Sequence, residues 1–92
     1  MQINYLSSYD RSFKKLTPPQ QENCIKAIDA LIEFIKRGKK PQKLGLKKVR
    51  RSYWEIRLDV KNRIIFEFKG DIVNIAFAGD HAEVKRFLRG IS

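Results

Sequence analysis

The chain of 92 residues is 42% hydrophobic and 11% aromatic, enough for a modest core, and we expect a single domain over residues 1–92. Its 20 Lys and Arg against 10 Asp and Glu give a formal net charge of +10, which favours a polyanionic partner, either nucleic acid or an acidic protein. One Cys and one His exclude an internal disulfide and a Cys- or His-rich metal centre, and the lack of a bilayer-length apolar run or signal-peptide pattern predicts a cytoplasmic protein.

The first elements predicted are a short strand and a short helix. Residues 2–6 alternate weakly between polar and apolar side chains, as in a half-buried strand. Ser7 or Ser8 can then cap a helix that carries Phe13 and Leu16, because a serine hydroxyl accepts hydrogen bonds from the free N–H groups of a first helical turn.

A longer helix is predicted from Thr17 to about Gly38. Thr17 is followed by two prolines, which a first turn tolerates because its N–H groups have no helical partner. Gly38 suits the left-handed position that ends many helices. Six apolar residues at spacings of three and four predict a core-facing stripe: Cys24, Ile25, Ile28, Leu31, Ile32 and Ile35.

Residues 38–52 form a connector that is rich in Lys and Arg and contains no acidic residue. Leu44, Leu46 and Val49 interrupt the charges and predict partial anchoring to the core. Such a run fits a solvated loop, and it fits contacts with the phosphates of a nucleic acid at least as well. The candidate phosphate contacts in this segment are Lys47, Lys48, Arg50 and Arg51.

Two strands, over residues 53–58 and 63–68, carry the most informative pattern. Alternation gives one apolar face made of Trp54, Ile56, Leu58, Ile64, Phe66 and Phe68. The other face carries Glu55, Arg57, Arg63 and Glu67. Carboxylates and guanidinium groups on one face predict a site that handles an anion, and mutual neutralisation across the sheet is the alternative explanation. Trp54 falls on the apolar face and is expected to anchor the core.

A two-residue turn at residues 70–71 sets the predicted register of the next strand. It pairs Phe66 with Ile75, Ile64 with Phe77 and Arg63 with Ala78. The small residues Ala76, Ala78 and Gly79 then leave an open floor on which Arg63 and His81 converge.

The preceding connection is predicted as a loop over residues 60–62 with Asn62 in the left-handed conformation. This loop pairs Asp59 with Arg63 and sets Arg57 beside Ile65. An ion pair with Asp59 is therefore the structural alternative to a functional role for Arg63.

A last helix is predicted to begin after Asp80, which can form a capping box with Glu83. Its apolar stripe consists of Val84, Phe87, Leu88 and Ile91. His81 lies in the first turn, where an exposed residue without any role is the plain alternative to a functional one.

This order of elements resembles the RelE/ParE superfamily of toxin–antitoxin toxins over nearly the whole chain. The most specific parts are residues 53–58 leading into Arg63–Phe66, and Gly79-Asp80-His81 leading to Phe87. The resemblance implies an α+β fold with an N-terminal strand, two helices, a mainly antiparallel twisted sheet of about four strands and a short C-terminal helix.

In the messenger-RNA-cleaving branch of that superfamily, the toxin binds in the ribosomal A site and cuts the exposed codon without a metal or another cofactor. The resemblance implies that Arg63 holds the scissile phosphate, that Glu55 takes the proton of the ribose 2′-hydroxyl, and that His81 protonates the leaving oxygen. Arg57 and Lys85 are further candidates for phosphate contacts.

Two other functions fit the sequence. The ParE-like branch poisons DNA gyrase on the same scaffold without an acid–base set, and a basic nucleic-acid-binding module would leave Glu55 and His81 merely structural. Either toxin branch implies a cognate acidic antitoxin as partner, in keeping with the net charge. Phe87 departs from the tyrosine that several active nucleases place nearby, and it is expected to pack in the core.

Overall fold

The chain folds into a five-stranded mixed sheet with helices on both faces, as seen in a computed structural model that describes residues 1–38 and 44–91. The elements in chain order are β1 (Gln2–Tyr5), α1 (Ser7–Lys14), α2 (Pro18–Arg37), β2 (Lys47–Arg50), β3 (Tyr53–Arg57), β4 (Asn62–Lys69), β5 (Ile72–Asp80) and α3 (His81–Arg89). The strand order is β1-β5-β4-β3-β2, with β1 parallel to β5 and the other pairs antiparallel. No helix in the described part of the chain is long and apolar enough to cross a membrane.

The α+β architecture expected from the resemblance is confirmed, with one strand more than expected. The additional strand is β2, which comes from the second half of the basic connector. Residues 39–43 of that connector lie outside the described residues.

Both ends of α2 follow the sequence signals. Thr17 and Gln20 form a capping box, in which each side chain accepts a hydrogen bond from the backbone N–H of the other. The helix ends at Gly38, whose φ of 74° lies in the left-handed region. The expected burial of Ile25 is wrong, since this side chain is 53% exposed. It follows Cys24 directly and is therefore turned by about 100° away from the buried stripe.

The predicted serine cap of α1 is wrong, because Leu6 is the N-cap and no side chain caps this helix. Two other contacts hold α1, because Ser8 and Ser12 bind β5. The Ser8 hydroxyl donates to the carbonyl of Ala76, and the Ser12 hydroxyl accepts from the N–H of Ala78 at 3.0 Å. The helix thereby satisfies two backbone groups on the edge of β5 that β1 leaves unpaired.

Two clusters of buried side chains lie on opposite faces of the sheet. On the α1 and α2 face the cluster includes Cys24, Ile28 and Leu31 from α2 and Ile56, Ile64, Phe66 and Ile75 from the strands. Trp54 packs at the edge of this cluster, as predicted. On the other face Ile65, Ala76 and Val84 form a smaller cluster beneath α3. The face that the sequence marks as polar is therefore partly covered by a helix.

The predicted β4–β5 register holds only near the turn. Phe66 pairs with Ile75 as expected, but Ile65 then pairs with Phe77, which leaves Ala76 as the extra residue of a β-bulge. A one-residue insertion turns every later side chain to the opposite face. The predicted pairing of Ile64 with Phe77 is therefore wrong.

Two consequences of the bulge matter for the site. Arg63 lies opposite Gly79 rather than Ala78. Phe77 moves to the α3 face, where its ring stacks on that of Phe87 with centroids 4.8 Å apart. The expectation that Phe87 packs in a core is confirmed.

The β3–β4 register differs from the prediction by two residues. Arg57 lies opposite Arg63, and Glu55 rather than Arg57 lies beside Ile65. Asn62 is buried within β4, and its φ is not positive as the prediction required. Because the shift is even, both faces keep the composition predicted from alternation.

Candidate active site

The centre of the candidate site is an ion pair between neighbouring strands. Glu55 of β3 and Arg63 of β4 lie on the same face, and the Arg63 Nε is 3.6 Å from the Glu55 Oε2. The Glu55 side chain is 18% exposed and the Arg63 side chain is 23% exposed. The distance is too long for a hydrogen bond, so the two groups attract each other without being locked together.

Backbone carbonyls fix one side of the Arg63 guanidinium. Its Nη1 donates to the carbonyl oxygens of Asp59 at 2.8 Å and of Asn62 at 2.9 Å. Within the described residues, Nη2 has no hydrogen-bond acceptor. The edge formed by Nε and Nη2 is the geometry that binds two oxygens of a phosphate or carboxylate.

The predicted ion pair between Asp59 and Arg63 does not form, because the Asp59 carboxylate turns into its own loop. Its Oδ1 accepts from the backbone N–H of Lys61 at 2.9 Å and of Asn62 at 2.8 Å, and both oxygens accept from the Asn62 amide. Burial by itself raises the pKa of Asp59, but these hydrogen bonds and the nearby Arg63 charge outweigh it and hold the pKa below its ordinary value. The loop is thus an Asx turn that presents its carbonyls to Arg63.

Two further cations flank the pair on the same face. Lys47 lies directly opposite Glu55, and Arg57 lies directly opposite Arg63. Arg57 packs against Gly45, whose φ is 63° and where a Cβ would come within 3.0 Å of the Arg57 Cβ. Like charges in directly opposite positions destabilise a sheet, and an anion bound between them relieves that cost.

The other predicted phosphate contacts are dispersed. Lys48 lies on the opposite face, 6.0 Å from the centre of the Trp54 ring. Arg50 donates to the carbonyl of Leu88, at the C-terminal end of α3, at 2.8 Å. Arg51 occupies the turn before β3 with a φ of 53°. Both arginines therefore lie at the end of β3 away from Arg57, about 13 Å along the strand.

His81 is the first residue of α3 and is exposed. The predicted capping box of Asp80 and Glu83 is present. Among the described residues, no hydrogen bond or ion pair links His81 to Glu55 or Arg63, and Lys85 lies one helical turn farther along the same side of α3.

The open floor expected beside Arg63 and His81 is wrong. A Cβ at Gly79 would lie 2.9 Å from the Phe77 ring and 3.1 Å from the Glu83 side chain. Both neighbours fill the space, because the bulge brings Phe77 to this face and the capping box holds Glu83 over the strand end.

Glu67 does not take part in neutralising the arginines. It is buried and accepts from the Ser52 hydroxyl at 3.2 Å and from the Asn74 amide at 3.1 Å. Burial, together with the adjacent Glu67 carboxylate, raises the pKa of Tyr53. These groups form a polar row at the far end of β3, away from the pair of Glu55 and Arg63.

Sequence reasoning missed a groove of about 480 Å³ between α1 and α3. Its cations are Arg11 and Lys15 of α1 and Lys61 of the β3–β4 loop. The spacing of Arg11 and Lys15, four residues apart on one helix, was the available sequence signal. Within residues 1–38 and 44–91, no three His, Cys, Asp or Glu side chains lie close enough to hold a metal ion.

The fold has counterparts among solved structures. A chain of the RelB–RelE antitoxin–toxin complex from Methanococcus jannaschii matches with a TM-score of 0.70 at 16% identity, over 91% of this chain and 96% of that one. A chain of the E. coli DinJ–YafQ complex matches with a TM-score of 0.66 at 11% identity, over 89% of this chain and 94% of that one. A chain of the YoeB dimer from Staphylococcus aureus matches with a TM-score of 0.64 at 17% identity, over 88% of this chain and 97% of that one.

At these identities the likeness is one of fold, and the chain has a RelE-like fold. No protein-family model matches the sequence, and a search of curated protein sequences gives no significant match.

Proposed function

We propose that this chain is the toxin of a type II toxin–antitoxin pair and that it cleaves messenger RNA in the ribosomal A site without a metal ion. The observation that carries the proposal is the half-buried pair of Glu55 and Arg63, 3.6 Å apart and flanked by Lys47 and Arg57. The RelE-like fold supports it, since the branch of the superfamily that the sequence resembles cleaves messenger RNA.

The proposed reaction is an internal transfer at phosphorus. The ribose 2′-oxygen attacks the adjacent phosphorus and loses its proton to the Glu55 carboxylate, while the bond between phosphorus and the 5′-oxygen breaks. His81 delivers a proton to that leaving oxygen. The products are a 2′,3′-cyclic phosphate and a 5′-hydroxyl end, so atoms and charge balance without an added reactant.

Arg63 has the features that stabilisation of the transition state requires. Its Nη1 is already held by two carbonyl oxygens, so little orientational freedom is lost when a phosphate binds the opposite edge. The phosphate replaces Glu55 as the nearest anion, which frees the carboxylate to accept a proton. Arg57 and Lys47 then balance the charge that develops on the phosphoryl oxygens.

The proposed partner is an acidic antitoxin that covers this basic surface. The formal net charge of +10 favours such a partner, and solved relatives of the fold include RelB–RelE and DinJ–YafQ complexes. An antitoxin carboxylate facing Arg63 would occupy the edge proposed for the scissile phosphate.

The test is cleavage of a defined messenger RNA on programmed ribosomes, mapped by primer extension. We expect cuts at the A-site codon with wild-type protein, and loss of about 10²-fold or more in rate for Glu55→Gln, Arg63→Ala and His81→Gln. Lys36→Ala is the matched control, because Lys36 is an exposed cation near the end of α2 and is not part of the proposed site.

Other results separate the alternatives. If the three site variants cleave as fast as wild type, the assignment of residues is wrong. Intact RNA together with inhibited gyrase supercoiling would favour the ParE-like function, and RNA binding without either activity would favour a binding module.

A further inference from the structure

We propose that the groove between α1 and α3 binds single-stranded RNA and takes the nucleotide next to the cleaved phosphate. This inference rests on the proposed RNA substrate and extends the site by a second contact region. The groove adjoins the candidate active site on two strands, because Lys61 and Asn62 directly precede Arg63, and Asp80 directly precedes His81.

The groove exists because β1 is shorter than β5. Pairing between the two strands stops at Ile75, and α1 then contacts residues 76–78 of β5. Two outward backbone groups there are already bound, since the Ser8 hydroxyl donates to the Ala76 carbonyl and the Ser12 hydroxyl accepts from the Ala78 N–H. The edge therefore cannot accept a further strand from a peptide partner by backbone pairing.

The charges that line the groove favour an anion, because three cations face two carboxylates. Among the described residues, Arg11, Lys15 and Lys61 form no ion pair. The acids nearby, Asp80 and Glu83, use side-chain oxygens to accept backbone N–H groups of the α3 capping box at 2.8 and 2.9 Å. A neighbouring depression shares Lys15 and adds Arg86, so the cations continue along α3.

The shape and the apolar surface favour a nucleotide over a simple anion. About 480 Å³ lies within the range of small-molecule sites. Phe77 and Phe87 line one wall as a stacked pair, and aromatic side chains are the usual platforms for unstacked bases. Cations beside an aromatic wall are the combination that single-stranded RNA requires, whereas an acidic peptide needs only the cations.

The experiment measures binding of a short fluorescent 2′-O-methyl RNA as a function of salt. This probe lacks the nucleophilic hydroxyl, so the readout does not depend on cleavage. The logarithm of the binding constant falls as the logarithm of the salt concentration rises, and for single strands each lost phosphate contact makes this slope shallower by about 0.7. We expect the slope of the double variant Arg11→Ala/Lys15→Ala to be shallower than that of wild type by about 1.4.

The control is Lys14→Ala/Lys36→Ala, which removes the same charge from exposed helix positions outside the groove. We expect it to keep the wild-type slope. Circular dichroism checks that all variants are folded, and the single variants Lys15→Ala and Lys14→Ala repeat the comparison at adjacent positions.

The outcomes separate this inference from the proposed reaction. Equal slopes for the two double variants would overturn the groove assignment, even if the wild-type protein cleaves messenger RNA. A slope change confined to the groove variant would support it, even if no cleavage is found. Weaker binding of a polyglutamate peptide with unchanged RNA binding would overturn it in favour of an acidic protein partner.

Discussion

Replacing Asp59 tests how the β3–β4 loop holds Arg63. Asp59→Ala removes the acceptor of two backbone N–H groups and leaves the amide of Asn62, a residue only 6% exposed, without its partner. An unsatisfied buried polar group costs about 1–3 kcal/mol, so we expect a loss of about 2 kcal/mol in the free energy of unfolding at neutral pH. Asp59→Asn keeps one acceptor oxygen, and we expect it to lose about half as much.

The pH dependence of this difference has a defined sign. The pKa of Asp59 is lower in the folded chain than its ordinary value, because the carboxylate accepts hydrogen bonds from Lys61 and Asn62 and lies near the Arg63 charge. Its charged form therefore contributes stability that is fully present above the unfolded pKa and is lost as the pH falls through the folded pKa. The difference in stability between wild type and Asp59→Asn should be constant near neutral pH and shrink in acid.

Urea unfolding at neutral and acidic pH measures both quantities. A loss of 1 kcal/mol also corresponds to about 4–8 °C in Tm for a chain of this size. Asp29→Asn is the matched control, because this exposed residue of α2 loses the same charge and, within the described part of the chain, makes no ion pair or side-chain hydrogen bond. Equal stability of Asp59→Ala and wild type, or a difference between wild type and Asp59→Asn that does not change with pH, would refute this account of the loop.

Two further predictions concern packing around the site and in the core. Gly45→Ala should destabilise the fold by about 1–3 kcal/mol, since φ is 63° and the new Cβ would meet Arg57 at 3.0 Å. Gly70→Ala has a similar φ of 59° but open space, so urea unfolding of Gly45→Ala must give the larger loss if the contact with Arg57 matters. Cys24 is fully buried, and burial raises its pKa to about 11, so a thiol reagent at mildly alkaline pH should modify it only after unfolding. Rapid labelling of the native protein would contradict the packing of α2.

Local sequence signals determined most of the elements. The capping boxes at Thr17 and Asp80, the left-handed Gly38 and the period-two faces of β3 and β4 all follow from chemistry within a few residues. The faces of β3 and β4 were predictable even though their register was not, because the β3–β4 error was an even number of residues.

Contacts outside the alternation of the strands decided the rest. The bulge at Ala76 lies where Ser8 and Ser12 of α1, more than sixty residues away in the chain, hydrogen-bond to the backbone of β5. The Asx turn of Asp59 shifted the pairing of Arg63, although the spacing of Asp59 and Asn62 was visible in the sequence. Neither choice can be read from alternation, because alternation fixes a face but not the partner strand's position.

The sequence by itself therefore determined which residue types share a sheet face, and with them the candidate pair of Glu55 and Arg63. Only the tertiary structure decided that Phe77 and Glu83 close the floor beside Gly79, and that a groove lined by Arg11, Lys15 and Lys61 opens between α1 and α3. The physical reason is that side-chain alternation is a property of one strand, whereas a cavity depends on how separate elements fill the space between them.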